Sequence, residues 1–377
     1  MMSQDYPPTI AELTTPCFLV DILRAKLNAS RMLERCENLG VQLRPHMKTH
    51  KTVELALLQT GGNKSRIVVS TLKEAEFYAT NGFDDILYGC PITAHHIPRC
   101  TKLAVSRQLH LLYDSHEAIS ALHNSPVGDG RAWSVFLAVD TGNDREGALW
   151  NSDEAVQLAK EAAESEHISF QGIYSHDGHS YRCRGVDEVK KLAEETANKM
   201  LFLKNRLLKE GIDCVTTGVG STPSCINPPD VFSSLSVFHP GNYIFFDYNQ
   251  QFMQVCGFEE IACRVATRVI SHSATGDHLL VDCGFLGLSH DGIAIQQQLP
   301  YGFCAFQDQP NLRMVRMTQE LGKVEDVNGK VDFEKYPIGK ILYIYPWHSC
   351  ATAAMYSEYF VHEGDAVVGV YKPTRGW

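Results

Sequence analysis

Apolar residues recur along the chain in two alternating rhythms: short runs of β-branched and aromatic residues, then longer amphipathic stretches at helical spacing. Residues 17–21 (Cys-Phe-Leu-Val-Asp) predict a strand leading into a helix over about 22–38. Leu23, Leu27, Met32 and Leu33 recur there at near-helical spacing, and Gly40 stops the run. From residue 42 the rhythm is regular. Strands are predicted at 42–47, Ile67–Val69, Ile86–Tyr88, Leu109–Tyr113, Val135–Val139, Ile168–Ser175, Cys214–Gly218 and Tyr243–Phe246. The stretches between them predict helices over Leu72–Ala79, His95–Val105, Ser115–Leu122, Ser152–Ala163 and Val186–Leu208, with a less clear one after Thr222.

About eight βα units in succession imply parallel strands, and eight closing on themselves give a (β/α)8 barrel of roughly 200–250 residues. An open doubly wound sheet is the alternative, but no GxGxxG follows the first strand to support it. Past about residue 258 the texture changes. Ala262–Ile270, His278–Val281, Gly292–Ile295, Leu312–Met317, Ile341–Tyr345 and Ala366–Tyr371 alternate or cluster like strands, with Gly, Asp and His turns and no convincing helix between them. The expected organisation is a barrel over 18–258 and a β domain formed by 1–17 and 259–377. No solenoid repeat or low-complexity tract interrupts it.

Composition narrows the class. At 377 residues the chain is too long for one ordinary core, which agrees with two domains. A balance of 44% hydrophobic and 21% charged residues is globular. Net charge is -10 with no basic block, so nucleic acid is not an expected partner. Twelve scattered cysteines without a CxxC pair read as free thiols in a reducing compartment. Met1–Pro8 lacks the basic start and apolar stretch of a signal peptide. No run approaches the roughly 18 apolar residues of a membrane span. The expectation is a cytoplasmic protein with no membrane partner.

Chemistry is expected where barrel strands end, because active sites of this fold lie on the C-terminal face. Lys48 follows the first strand within Arg44-Pro45-His46-Met47-Lys48-Thr49-His50-Lys51. A lysine at such a junction can be desolvated beside a ligand, which lowers its pKa and suits Schiff-base chemistry with a carbonyl cofactor. By chemistry alone Lys51 could do the same. Asp140-Thr141-Gly142-Asn143-Asp144-Arg145-Glu146-Gly147 follows the fifth strand, and Tyr174-Ser175-His176-Asp177-Gly178-His179 ends the sixth. Gly218-Val219-Gly220-Ser221-Thr222-Pro223-Ser224, after the seventh, reads as an anion cradle of small residues and hydroxyls. His239-Pro240-Gly241-Asn242-Tyr243 is placed at the entry to the eighth.

Taken together, these motifs and the trailing β domain resemble the alanine-racemase-type fold of pyridoxal-phosphate enzymes. The likeness is closer to its D-serine dehydratase and D-threonine aldolase branch. Pro45–Lys51, Gly220-Ser221-Thr222-Pro223-Ser224 and Pro346-Trp347-His348-Ser349-Cys350 resemble eukaryotic-type D-serine dehydratase over nearly the whole chain. The resemblance implies that Lys48 carries the cofactor and later removes the Cα proton. It implies that Arg145 meets the pyridoxal phenolate oxygen, that Tyr174 and Tyr181 line the ring site, and that His176 supports it. Thr222, Gly241 and Asn242 would hold the phosphate. A homodimer with its active site near the subunit interface is also implied.

His348 and Cys350, two residues apart in a segment expected to be extended, would present imidazole and thiolate to one face, a donor pair suited to zinc. Two ligands leave positions open for water and substrate. Trp347 stands where the family pattern leads one to expect a smaller or polar residue. The implied reaction is β-elimination of water from D-serine, giving pyruvate and ammonia. Retro-aldol cleavage of D-threonine and dehydration of D-threo-3-hydroxyaspartate are the alternatives within the branch. A non-catalytic pyridoxal-phosphate-binding regulator is the alternative from another class.

Overall fold

The computed structural model describes residues 6–377 apart from Asp129, so the Met1–Asp5 part of the expected β domain lies outside the described residues. The chain divides into two compact units. One takes Ala29–Tyr243 with Thr374–Trp377, and the other takes the chain up to Asn28 with Ile244–Pro373.

Parallel strands organise the first unit. Their hydrogen-bonded order is Gln42–Leu43, Val237–Phe238, Thr216–Val219, Ile168–Ser175, Trp133–Asp140, Gln108–Tyr113, Asp85–Pro91 and Ile67–Val69. A parallel bridge from His46 to Val68 links the last of these to the segment that continues the first, so the sheet comes round on itself. This is the connectivity of an eightfold βα barrel. Helices occupy the crossovers at Leu72–Thr80, Ile97–Ala104, His116–His123, Asp153–Glu164 and Val186–Lys209. Thr71, Ser115 and Ser152 cap three of them, each side-chain oxygen accepting an N–H three residues on.

Val68, Leu87, Leu112, Phe136 and Tyr174 meet inside from the second to the sixth strands. Each large apolar side chain withdrawn from water contributes about 1.5–3 kcal/mol, which is why these strands read as unbroken apolar runs. Where the strand Asp85–Pro91 begins, Arg44 grips Asp85 through two bonds of 2.5 and 3.1 Å. His110 lies 3.1 Å from the same carboxylate. Against the cost of burial, His110 and Arg44 hold the Asp85 carboxyl down at about 2.

Three expectations give way. The eighth strand is Val237–Phe238 and not Tyr243–Phe246, so His239–Tyr243 leaves that strand instead of entering it. The aromatic run is buried and therefore imitates a strand in composition, but Asn242–Ile244 is a 3-10 turn and Phe246 has φ 50. A left-handed residue cannot continue an extended strand. Cys17–Asp21, which the expected boundary at 18 assigned to the barrel, pairs antiparallel with Cys263–His272 and parallel with Tyr359–Glu363 and so belongs to the β unit.

The third correction lies in the β unit. Its strands run in the order Leu312–Met317, Gly322–Asp326, His278–Val281, Cys263–His272, Cys17–Asp21, Tyr359–Glu363 and Ala366–Tyr371. Ile341–Pro346 adds a further antiparallel partner to Cys263–His272. Gly292–Ile295 is no strand: Gly292 has φ 87 and opens the 3-10 turn Ile293–Gln298. A Cβ there would come 2.6 Å from the Trp347 ring, so only glycine fits. The unit also holds short helices at Phe285–Leu288 and Ser349–Ala354, where none was expected. No described cysteine forms a disulfide. Among the described residues no helix is long and apolar enough to cross a membrane.

Candidate active site

The first barrel strand leads through Pro45 and His46 into the 3-10 turn Met47–Thr49. His46 caps that turn, its Nδ1 accepting the Lys48 N–H at 3.4 Å. Lys48 is half-buried. Lys51, the other candidate amine, is committed elsewhere. Its Nζ lies 2.9 Å from Oε1 of the fully buried Glu74, so releasing it would strand a buried carboxylate.

Three histidines surround the turn's electrostatic neighbourhood, and burial lowers the pKa of each. His46 and His176 fall well below the ordinary value, with Lys48 and Arg145 pushing in the same direction. His239 is lowered to about 3 by burial, with Lys48 and Arg44 adding to the effect. All three are neutral at physiological pH. His176 Nδ1–H donates to the Gly220 carbonyl at 2.8 Å, which leaves its Nε2 with the lone pair. His239 stacks on Tyr174 with ring centroids 3.8 Å apart and planes 12° off parallel. Burial raises the Tyr174 phenol, keeping it protonated.

After the fifth strand, Asp140 Oδ1 gathers the N–H groups of Gly142, Asn143 and Asp144 at 2.8, 2.8 and 3.2 Å. That loop delivers Arg145, whose Nε pairs with Glu146. Tyr181 lies half-buried on the 3-10 turn Gly178–Arg182 beyond the sixth strand.

The cradle after the seventh strand rests on a buried hydroxyl network. Ser221 caps Thr222–Ile226, and both Ser221 and Ser224 donate to Asp177 Oδ2. Ser180 donates to Ser221 at 2.8 Å. Burial raises the Asp177 carboxyl, only partly offset by those hydroxyls. The Thr222 hydroxyl accepts the Tyr243 N–H at 3.2 Å, and the His46 N–H donates to the Pro240 carbonyl at 3.0 Å. Two glycines permit this approach. A Cβ on Gly220 would fall 2.7 Å from the His239 backbone nitrogen, and one on Gly241 would fall 2.7 Å from the His46 carbonyl oxygen. Lys48, Arg145, Tyr174, His176, Thr222, Gly241 and Asn242 thus all stand where barrel strands end.

His348 and Cys350 belong to the β unit, and the segment is not extended as expected. His348 is the extended residue before helix Ser349–Ala354, and Cys350 lies in its first turn. The helix start is pinned because the Ser349 N–H and hydroxyl both donate to Asp247 Oδ2, at 2.9 and 3.1 Å. His348 Nδ1 lies 2.6 Å from Asp291 Oδ2, and the imidazole also hydrogen-bonds Cys350. Cys350 and Asp291 raise His348 well above the ordinary value. Among the described residues no group of three or more His, Cys, Asp or Glu side chains is arranged to hold a metal ion.

Sequence reasoning quoted Asp177 and His239 within strand-end motifs without giving either a role, and it passed over Asp291, which no motif marks.

Comparison with known proteins gives the family. Residues 20–249 match the alanine racemase N-terminal domain, and residues 262–362 match a putative serine dehydratase domain. A D-serine dehydratase of Dictyostelium discoideum is 37% identical, over 98% of this chain and 98% of its own length. The chain belongs to the D-serine dehydratase family. It is accordingly a lyase built on the fold-type III pyridoxal-phosphate scaffold, which sets aside the non-catalytic regulator. Another member, the D-threo-3-hydroxyaspartate dehydratase of Delftia sp. HT23, is 30% identical. Its solved structure superposes with a TM-score of 0.91, covering 98% of this chain and 100% of that one. An alanine racemase of Clostridium difficile 630, 16% identical, covers 95% of this chain and 99% of its own at a TM-score of 0.69, sharing the fold alone.

Proposed function

We propose that the chain catalyses zinc-assisted β-elimination of water from D-serine, with pyruvate and ammonia as products. The observation that carries this is the meeting of Lys48, Arg145 and three neutral histidines with a tight glycine-hydroxyl cradle at the barrel's strand ends. Its 37% identity to a D-serine dehydratase supports the choice of substrate.

The barrel residues fit pyridoxal phosphate. Lys48 offers an amine to the aldehyde, and Arg145 a cation to the phenolate oxygen. Tyr174 and Tyr181 flank the ring site, with His176 beside it. Thr222, Gly241 and Asn242 suit the phosphate because Gly220 and Gly241 let backbone come close. When bound, the cofactor supplies an electron sink for a carbanion at Cα. Lys48 then takes the Cα proton. The neutral histidines leave that base free of a competing imidazolium acid, and the buried walls limit water's access to it.

The β-unit pair fits zinc by donor chemistry: one nitrogen, one sulfur, and Asp291 on Nδ1 orienting the ring so that Nε2 remains as the donor. A zinc ion supplies Lewis acidity toward the departing hydroxyl. Two solved structures of a D-threo-3-hydroxyaspartate dehydratase support this reading: a cysteine-to-alanine mutant in the metal-free form and a histidine-to-alanine mutant. Those two substituted positions are two residues apart, the spacing of His348 and Cys350.

The likeness to that dehydratase makes D-threo-3-hydroxyaspartate the alternative substrate. The test is product release by the purified chain, with and without chelator: pyruvate and ammonia from D-serine, against oxaloacetate and ammonia from D-threo-3-hydroxyaspartate and glycine and acetaldehyde from D-threonine. Preference for either competitor overturns D-serine as the substrate. The active species is read as a homodimer, and an active monomer in sedimentation at low concentration contradicts that.

A further inference from the structure

His50, the second histidine of the lysine motif, has no part in the reading above. It is fully buried, and so are Thr52 and Gln59. Its Nδ1 accepts the Thr52 N–H at 3.0 Å, which places the proton of the neutral ring on Nε2. That Nε2–H donates to Gln59 Oε1 at 2.8 Å. The Gln59 Nε2 then donates to the carbonyl of Gly241 at 3.3 Å. Each role fixes the next, so the amide has one orientation. The wire starts two residues after Lys48 and ends in the cradle loop.

Buried polar groups are costly unless every bond is made, and an apolar side chain could fill this space without that demand. What the polar wire adds is direction. In a trans peptide the carbonyl and the following N–H point opposite ways. Holding the Gly241 carbonyl toward Gln59 therefore turns the Asn242 N–H to the other side of that peptide. We propose that His50 and Gln59 are positioning residues that set the Gly241–Asn242 peptide so its N–H serves a phosphate. The inference rests on the reading that this loop takes the cofactor's phosphate.

The experiment uses the full chain stripped of cofactor, titrated with pyridoxal 5'-phosphate and with pyridoxal, each followed by absorbance. Gln59→Glu keeps the size and the acceptor for His50, but a carboxylate has no hydrogen for the Gly241 carbonyl. Gln59→Met removes the wire without adding charge and guards against a folding defect, checked by circular dichroism. Both variants should cut the preference for the phosphorylated ligand about tenfold, with pyridoxal affinity held within about twofold. A preference equal to that of the wild type in both variants overturns the proposal. Equal weakening of both ligands also overturns it, since the wire would then support the lysine turn instead. If the wild-type chain itself shows no preference for the phosphate, the cradle reading fails first.

Discussion

Around Lys48 the shaping groups are buried and answer one another. His46 caps the turn, Thr222 receives Tyr243, and Ser221 and Ser224 converge on Asp177. Around His348 the set is sparse: Asp291 on one ring nitrogen and Cys350 hydrogen-bonded beside it. There the imidazole and carboxylate side chains stay 43% and 51% exposed. The first arrangement has a preformed shape, suited to a large organic group held in one pose. The second has few donors and open sides, suited to an ion that must also accept water or substrate. Catalytic metal sites keep such open positions, whereas structural ones close them.

The largest break in this comparison is at the amine. Lys48→Ala should abolish both turnover and the absorbance of bound cofactor. Lys51→Ala should keep that absorbance but lower stability by roughly 3 kcal/mol, because the buried Glu74 loses its cation and keeps only the Ser70 N–H and the Thr71 hydroxyl. Loss of the band in the Lys51 variant and its survival in the Lys48 variant would exchange the two assignments.

The sparse site should fail differently. Chelation, or Cys350→Ala, should stop D-serine elimination while the circular-dichroism spectrum and the cofactor absorbance persist, since a lone imidazole holds the ion weakly. β-Chloro-D-alanine has a better leaving group and should lose much less activity. Equal loss with both substrates removes leaving-group activation as the metal's role. Collapse of the spectrum makes the site structural.

A smaller effect comes from crowding the cradle. Gly241→Ala puts a methyl 2.7 Å from the backbone oxygen of His46, so one strand-end loop must shift. Cofactor affinity should fall roughly ten- to a hundredfold, in line with the cost of an ångström-scale misplacement. Unchanged affinity in equilibrium titration would show that the cradle is looser than its packing indicates.

How much of this was legible in the sequence follows from distance along the chain. The barrel was legible because a parallel strand buried on both faces leaves a continuous apolar run, as at Val135–Val139. Tyr243–Phe246 misled for the same reason, since burial without extension has the same composition. Lys48 and the cradle glycines sit in local motifs. Asp177 reaches Ser221 across 44 residues, Asp291 reaches His348 across 57, and Gln59 reaches Gly241 across 182. No spacing rule spans such separations; only the folded register brings these partners together.

The mildest prediction concerns protons and sharpens the claim that the barrel site is preformed. Burial, only partly opposed by Gln59 and Thr52, lowers His50 to about 4. Its folded pKa thus lies below the unfolded value of about 6.5. The neutral ring's contribution is fully present above that unfolded value. Between the two values the unfolded chain binds a proton that the native chain refuses, so stability falls as pH drops and the loss completes near 4. His46, His176 and His239 are shifted in the same sense, so a wild-type profile alone cannot isolate one ring. The comparison is with His50→Gln, which has nothing to titrate there. Its deficit in Tm against the wild type should be largest near neutral pH and shrink by a few degrees toward pH 4. A deficit that stays constant across that range would mean burial does not hold His50 neutral, and the fixed tautomer that orients Gln59 would go with it.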